Sequence, residues 1–383
     1  MTLSGFVRRN AFRNLRRSVL TVVSIAFSML LLTLMITVWR RFYIDQGTPQ
    51  SAQRLLLRHR VSLANLLPSA YRQQIRAVPG VVAVAPMTWF GGLYMNDKPD
   101  NAFAQFATDP EAILQAYPEN RLPEDQLKAW MHDRAGCMVD AKLAQKHGWK
   151  LGDRVLIQGN VFPVTLELTI RGIYTAAVPS DTLFFDERYL EESVNWFRGY
   201  SGFYAIMVDS PQNTARVAQA IDEKFHNSPY PTKTETEKAF TLDFIATLGN
   251  VKAFILGICS AVSFAILLVA ATTMAMAVRE RTREVAVLKA LGFTRRLLLG
   301  LFVSESVALA LLGGVLGALA GAGLVRLMAD APQMTGLFNG LRATWGTMAV
   351  AVLLAALVGF LSGVIPSYSA ANTEIVNGLR HIG

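Results

Sequence analysis

Four stretches of the sequence are apolar on every helical face: residues 19–38, 253–278, 297–327 and 345–365. The first, second and fourth hold no charged residue, and the third holds only Glu305 and Arg326. About 20 helical residues cross the ~30 Å hydrocarbon core of a bilayer. Soluble core helices seldom stay apolar all round for that length. The pattern therefore predicts transmembrane helices over 18–39, 251–278, 297–328 and 345–366. It leaves a cytoplasmic leader at 1–17, a large domain at 40–250, a loop at 279–296, a short loop at 329–344 and a tail at 367–383.

Within 40–250 the pattern changes to short periods. Residues 67–76 read as a helix, Pro79-Gly80 breaks it, and 81–86 (VVAVAP) begin a strand. A matching unit comes late, with a strand at 203–208, a cap at 209–211 and a helix at 212–225. Between them, 137–146 read as a helix, 148–153 as a turn, and 154–158, 164–174 and 182–185 as strands. The expectation is an α+β domain of two subdomains, one inserted in the other, with helices on one face of a sheet. Residues 228–240 read as a polar return to the second apolar helix.

Composition agrees. The chain is 52% hydrophobic and 17% charged, against about 25% charged in an ordinary soluble domain. A disordered chain is excluded, and two cysteines exclude a disulfide scaffold. The net charge is +9. The first 17 residues contribute +5 through Arg8, Arg9, Arg13, Arg16 and Arg17, and the 279–296 loop contributes +4. The rest of the chain is neutral. The positive-inside rule accounts for the whole excess. It places both termini and the 279–296 loop in the cytoplasm and the large domain outside, and it removes the case for nucleic-acid binding. In the leader, Phe6, Ala11, Phe12 and Leu15 lie among arginines. That suits a helix lying on the membrane lipid, or a flexible basic leader.

The outer domain offers no persuasive chemistry. His132 and Cys137 are too isolated for a zinc site. The chain has no Gly-x-Ser-x-Gly and no phosphate-cradling Gly-x-x-x-x-Gly-Lys-[Ser/Thr]. Trp89, Phe90, Tyr94, Phe103 and Phe106 form an aromatic-rich stretch that fits either core packing or a ligand surface. No catalytic residue, cofactor or metal is expected in this chain.

The run ERTREVAVLKALGFTRRLLLGLFVSESVALALLGGVLGALAG, residues 280–321, resembles the MacB/FtsX-type permeases of ABC transporters. The tail from Ile365-Pro366 through Arg380 is similar to the family ending, although Tyr368 stands where an Arg is usual and Ile375-Val376-Asn377 departs from the usual wording. The opening at 10–24, the strand at 81–86 and the segment 143–156 (LAQKHGWKLGDRVL) also resemble the family. The resemblance implies a four-helix permease with a MacB-type periplasmic core domain between helices one and two, in the bacterial inner membrane. It implies a dimer with a second copy or a paralogue, and a separate ABC ATPase subunit that holds the ATP and magnesium. A periplasmic adaptor is a further partner of some members.

On that resemblance Arg279, Glu280, Arg281, Arg283, Glu284, Lys289 and Gly292 form or flank a coupling helix that meets the ATPase. From the residues alone, these charges serve equally to enforce topology. Glu305 matches an acidic position of the third helix, and reads as a functional bridge or as an interhelical polar contact. Gly313, Gly317 and Gly321 form a Gly-x-x-x-Gly stripe suited to close packing within the bundle or at a dimer seam. The implied activity is mechanotransmission to the outer domain, with export or extraction of an amphiphile, lipid, lipoprotein or drug. The alternative is a non-transporting relay that controls a periplasmic hydrolase or a signalling partner. A sensory receptor finds no room for an output domain in this sequence.

Overall fold

The computed structural model describes residues 14–45, 47–98, 101–177, 180–247, 249–329 and 341–372. The expected leader helix, the centre of the 329–344 loop and most of the 367–383 tail lie outside the described residues. In chain order the helices and strands are α1 (Leu15–Trp39), β1 (Arg54–His59), β2 (Leu67–Pro68), α2 (Tyr71–Arg76), β3 (Val81–Trp89), β4 (Gly92–Tyr94), β5 (Ala104–Thr108), α3 (Pro110–Ala116) and α4 (Glu124–His132). They continue with β6 (Gly136–Asp140), α5 (Ala141–His147), β7 (Arg154–Gly159), β8 (Thr165–Tyr174), β9 (Thr182–Asp186), α6 (Glu187–Ser193), β10 (Tyr200–Ser201), β11 (Phe203–Val208) and α7 (Thr214–Phe225). The chain closes with β12 (Thr232–Thr236), α8 (Glu237–Thr247), α9 (Val251–Glu280), α10 (Thr282–Ala290), α11 (Arg295–Ala329) and α12 (Trp345–Asn372). It divides into two compact units, a helical one and an α+β one inserted between α1 and α9.

In the helical unit, α1 with its π-helical extension Arg40–Ile44, α9, α11 and α12 are each long and apolar enough to cross a membrane. Ile25, Met29 and Leu32 of α1 meet Ile266 of α9, Ala310 of α11 and Ala355 and Val358 of α12 in a shared core. The buried hydroxyls of Thr33 and Thr37 donate to the carbonyls of Met29 and Thr33, one turn back, so neither is left unsatisfied in apolar surroundings. The rings of Trp39 and Tyr43 lie 4.5 Å apart, tilted by 31°, and the Lys252 ammonium lies 5.9 Å over the Trp39 ring. With Trp345 these mark one end of the bundle with the aromatic and cationic groups that favour a bilayer interface. The fourth helix does not stop at Pro366 as expected. It continues to Asn372 with that proline inside.

The α+β unit is built on one ten-stranded mixed sheet in the order β12-β1-β11-β3-β5-β9-β6-β8-β7-β4. The two subdomains are thus halves of one sheet. The first half uses β1, β3, β11 and β12 from both ends of the domain's sequence. The inserted half, from β9 to β4, joins it through the parallel pair β5–β9. Leu55 and Leu57 of β1 pack with α2 and α7 on one face, and Leu56 packs with α3 and α4 on the other. Helices therefore cover both faces of this half rather than one, because successive strand residues point to opposite sides and all three are leucine.

Three local expectations change. Residues 137–140 form strand β6 instead of opening a helix. Cys137, Met138 and Val139 are all fully buried between β8 and β9, and α5 starts only after Asp140, whose carboxylate accepts the Lys142 N–H at 2.8 Å. The helix read at 67–76 shortens to α2, because Leu67–Pro68 pair with β10. The polar return at 228–240 contains β12, which pairs with β1 from Leu55↔Thr236 to His59↔Thr232 and gives the domain its edge.

Candidate functional site

The 279–296 segment is built from two deliberate breaks. α9 ends at Glu280, and Arg281 leaves the helical region with φ −104° and ψ 10°. α10 then runs for nine residues. It stops where Gly292 takes φ +93°, donating its N–H to Lys289 O at 3.0 Å while Phe293 donates to Leu288 O at 3.1 Å. This paired closure is the Schellman arrangement, which needs a left-handed residue and so favours glycine. α11 begins three residues later.

One face of α10 is held down. Val285 joins Met274 and Val278 of α9 and Leu298 and Phe302 of α11 in a small apolar core, with Leu288 against it. Arg281 Nη1 donates to Glu305 Oε2 at 2.8 Å, with side-chain exposures of only 7% and 4%. Glu305 lies ten residues into α11, about 15 Å along its axis. The position picked out as an intramembrane acid and a residue of the charged loop therefore form one buried ion pair. Glu280, one residue before Arg281, is exposed and pairs instead with Arg17 of α1 at 2.6 Å. Next to Glu305, Ser306 Oγ donates to Gly359 O of α12 at 2.7 Å.

The other face is open. Arg279, Arg283, Glu284 and Gly292 are exposed, and beside them Val287, Leu291 and Phe293 present apolar side chains, with Leu291 72% exposed. Lys289 is half-buried, and burial, with Arg295 nearby, holds its ammonium below the usual lysine range. The result is an apolar tip ringed by charge on a short helix with fixed ends.

The glycine stripe faces α1. A Cβ on Gly313 would lie 2.8 Å from Ile25 Cβ, one on Gly321 would lie 2.9 Å from Thr33 Cβ, and one on Gly317 would run into the Ala26 carbonyl. On the neighbouring flank of α11, Gly314 meets Ala355, while Gly363 of α12 meets Ser306. α11 is thus seated between α1 and α12 at backbone contact distance. The stripe is occupied within one chain.

The aromatic stretch of the outer domain separates. Phe90 is buried between Phe162 and Phe185, and Phe106 packs against Phe184 and Phe203. Tyr94 and Phe103 cluster with His147 and Trp149. Trp89 stays 54% exposed. Sequence reasoning missed Arg54, which is fully buried and bound by Glu119 and Glu237. The one available signal was an arginine opening the strand RLLLRH, since its partners stand 65 and 183 residues away.

A family model described as the MacB-like periplasmic core domain matches residues 18–224, and one described as the FtsX-like permease C-terminal region matches residues 253–375. An uncharacterized ABC transporter permease of Methanocaldococcus jannaschii is 23% identical over 97% of this chain and 96% of its own length. The macrolide export ATP-binding/permease protein MacB of Chlorobium luteolum is 34% identical over 28% of this chain and 16% of its own. The periplasmic region of MacB from Actinobacillus actinomycetemcomitans aligns with a TM-score of 0.38 and 10% identity, covering 52% of this chain and 96% of that one. With one family model spanning more than half of the sequence and the other spanning its last three membrane helices, the chain is a multi-pass membrane protein that belongs to the MacB/FtsX-like ABC transporter permeases.

Proposed function

We propose that the chain is the membrane subunit of an ATP-driven machine in which a separate ATPase grips α10 and moves it, and the bundle passes that displacement to the outer domain. The observation that carries this reading is the buried Arg281–Glu305 pair. It fastens the root of an exposed helix to α11, which is itself in backbone contact with α1 and α12. A displacement of α10 then cannot stay local. α1 and α9 are also the two helices that run on into the outer domain. The sequence carries no phosphate-binding loop, so the energy comes from the partner. A ligand that binds both states equally shifts nothing, whereas an ATPase that holds α10 differently with and without ATP biases the equilibrium.

In this reading the arginine-rich end is cytoplasmic and the end marked by Trp39, Tyr43 and Trp345 is periplasmic, in a bacterial inner membrane. The working unit is a dimer with a second copy or a paralogue, because one outer domain alone has nothing to close against. The cargo class is an amphiphile, lipid, lipoprotein or drug taken from the outer leaflet or periplasm.

The test is recovery of the full-length protein from its native membrane with identification of what accompanies it. An ABC-type ATPase that is lost on charge reversal at Glu280 and Glu284 supports the reading, and an adaptor in the same sample points to efflux. Glu284→Lys or Gly292→Pro should uncouple ATP hydrolysis from outer-domain motion with membrane insertion unchanged. A periplasmic hydrolase or a sensor kinase in place of cargo would favour the relay.

A further inference from the structure

We propose that Arg54 is the node through which movement of the two membrane connectors reaches the inserted half of the outer domain. This goes beyond the coupling reading and rests on it for the source of the movement.

Three chain segments meet at this one guanidinium. Arg54 opens β1, the first strand after the π-helical end of α1. Its Nη1 donates to Glu237 Oε2 at 3.1 Å, at the first residue of α8, the helix that precedes α9. Its Nη2 donates to Glu119, and its Nε donates to the carbonyl of Ala116 at 3.0 Å, closing the C-terminus of α3. The ring of Tyr117 lies 3.7 Å from the guanidinium carbon. The side chain is 1% exposed. The segment it holds, from Ala116 to Glu119, lies between β5 and β6, where the sequence passes from the first half of the sheet into the inserted half.

The geometry requires arginine. Only a planar fork reaches a carboxylate on each side, a helix-end carbonyl and an aromatic face together, and a lysine ammonium at the end of a flexible stem cannot. Burial makes these bonds strong and makes the loss of any partner costly. A second network ties the same connectors without the third segment. Arg58 of β1 binds Glu235 of β12 and Asp243 of α8, each at 3.1 Å. β1 and α8 are thus fastened to each other twice, but among the described ion pairs of these two connectors only that of Arg54 extends to the 116–119 segment. Arg54 is a positioning residue, acting through Glu119 and Ala116.

The experiment is hydrogen exchange on the full-length protein in nanodiscs without nucleotide. Glu237→Ala should speed exchange in residues 110–120 by about tenfold, the scale of one charge-assisted hydrogen bond. Glu119→Ala should do the same in α8, because coupling through a shared node is reciprocal. Arg54→Lys should reproduce both effects. Faster exchange confined to each variant's own segment would overturn the proposal. Both alanine variants keep Arg54 paired with one carboxylate, so they hold the fold where Arg54→Met risks losing it.

With the partner ATPase added, spin labels at Lys252 and at Leu156, on the exposed face of β7, report whether ATP moves the inserted half. An ATP response that persists in the wild type and is lost in Glu119→Ala supports the node, and one that survives there counts against it. Absence of any ATP response in the wild type would speak against the ATPase reading instead, and the exchange result would still decide the role of Arg54.

Discussion

Arg281 and Glu305 are each an expensive residue to bury, and each is affordable only because of the other. Removing one partner strands a charge in apolar surroundings, which costs about 3–5 kcal/mol, whereas replacing both with apolar groups of similar size is often close to neutral. Arg281→Met and Glu305→Leu should therefore each lower the stability of the helical unit sharply, and the double variant should recover most of the loss. Unfolding in mixed micelles measures this cycle. Recovery of stability without recovery of ATPase coupling would mark the pair as transmitting rather than merely structural. Glu187 makes a different prediction in the outer domain. Burial pushes its carboxyl up to about 8 although Ser201 Oγ donates to it at 2.7 Å, and Glu191 adds to the rise. The folded domain thus binds a proton that the unfolded chain, with an ordinary value of 4.5, releases. Stability from this group is full below 4.5 and is lost as pH rises through about 8. Unfolding of the outer domain, followed in the full-length protein, should become easier across that window, and Glu187→Gln should flatten the dependence.

At the scale of elements, the sequence was most legible where one force acts alone. The membrane helices could be read from apolar length, and α10 from the family resemblance of residues 280–321. The outer strands were harder because two forces compete. Residues 137–146 carry a helix-like start and a strand-like burial demand, and the central position in the sheet won for Cys137–Val139. β12 was hidden because an edge strand of Thr, Lys and Glu has no apolar alternation to show. The glycine stripe was visible as a pattern, but its partner was not, since nothing along a sequence says which helix lies against it. The structure supplies α1. Gly317→Val should therefore drive α1 and α11 apart and destabilise the bundle by about 1–3 kcal/mol or more. Gly323→Ala, on the same helix with open space around it, should be neutral or slightly stabilising. Thermal unfolding of the two variants side by side tests the distinction, and equal loss in both would mean that contact between α11 and α1 does not set the cost of a side chain at Gly317.

For the whole molecule the decisive fact is that each unit has its own core. The outer domain is organised around one sheet, and the bundle around the seam of α1, α9, α11 and α12. Damage to a partner surface on α10 should therefore leave both cores intact. If α10 is the proposed ATPase contact, its charges would set approach and orientation, while the exposed apolar tip of Val287, Leu291 and Phe293 would supply most of the area to be buried. Leu291 is the sharpest probe, being the most exposed of the three and lying one residue before the glycine that ends the helix. A carboxylate there costs nothing in the free protein, because water already surrounds the position, but in a desolvated contact it has no partner. Leu291→Asp should weaken ATPase binding by about 30-fold or more, the scale of a hot-spot residue at a protein interface. Insertion, outer-domain unfolding and hydrogen exchange around Arg54 should stay as in the wild type. Titration of the purified ATPase against the permease in nanodiscs measures the first, and the same preparation serves for the rest. Unchanged affinity would move the contact away from the tip of α10, and the charged positions at Arg283 and Glu284 would then have to account for binding by themselves.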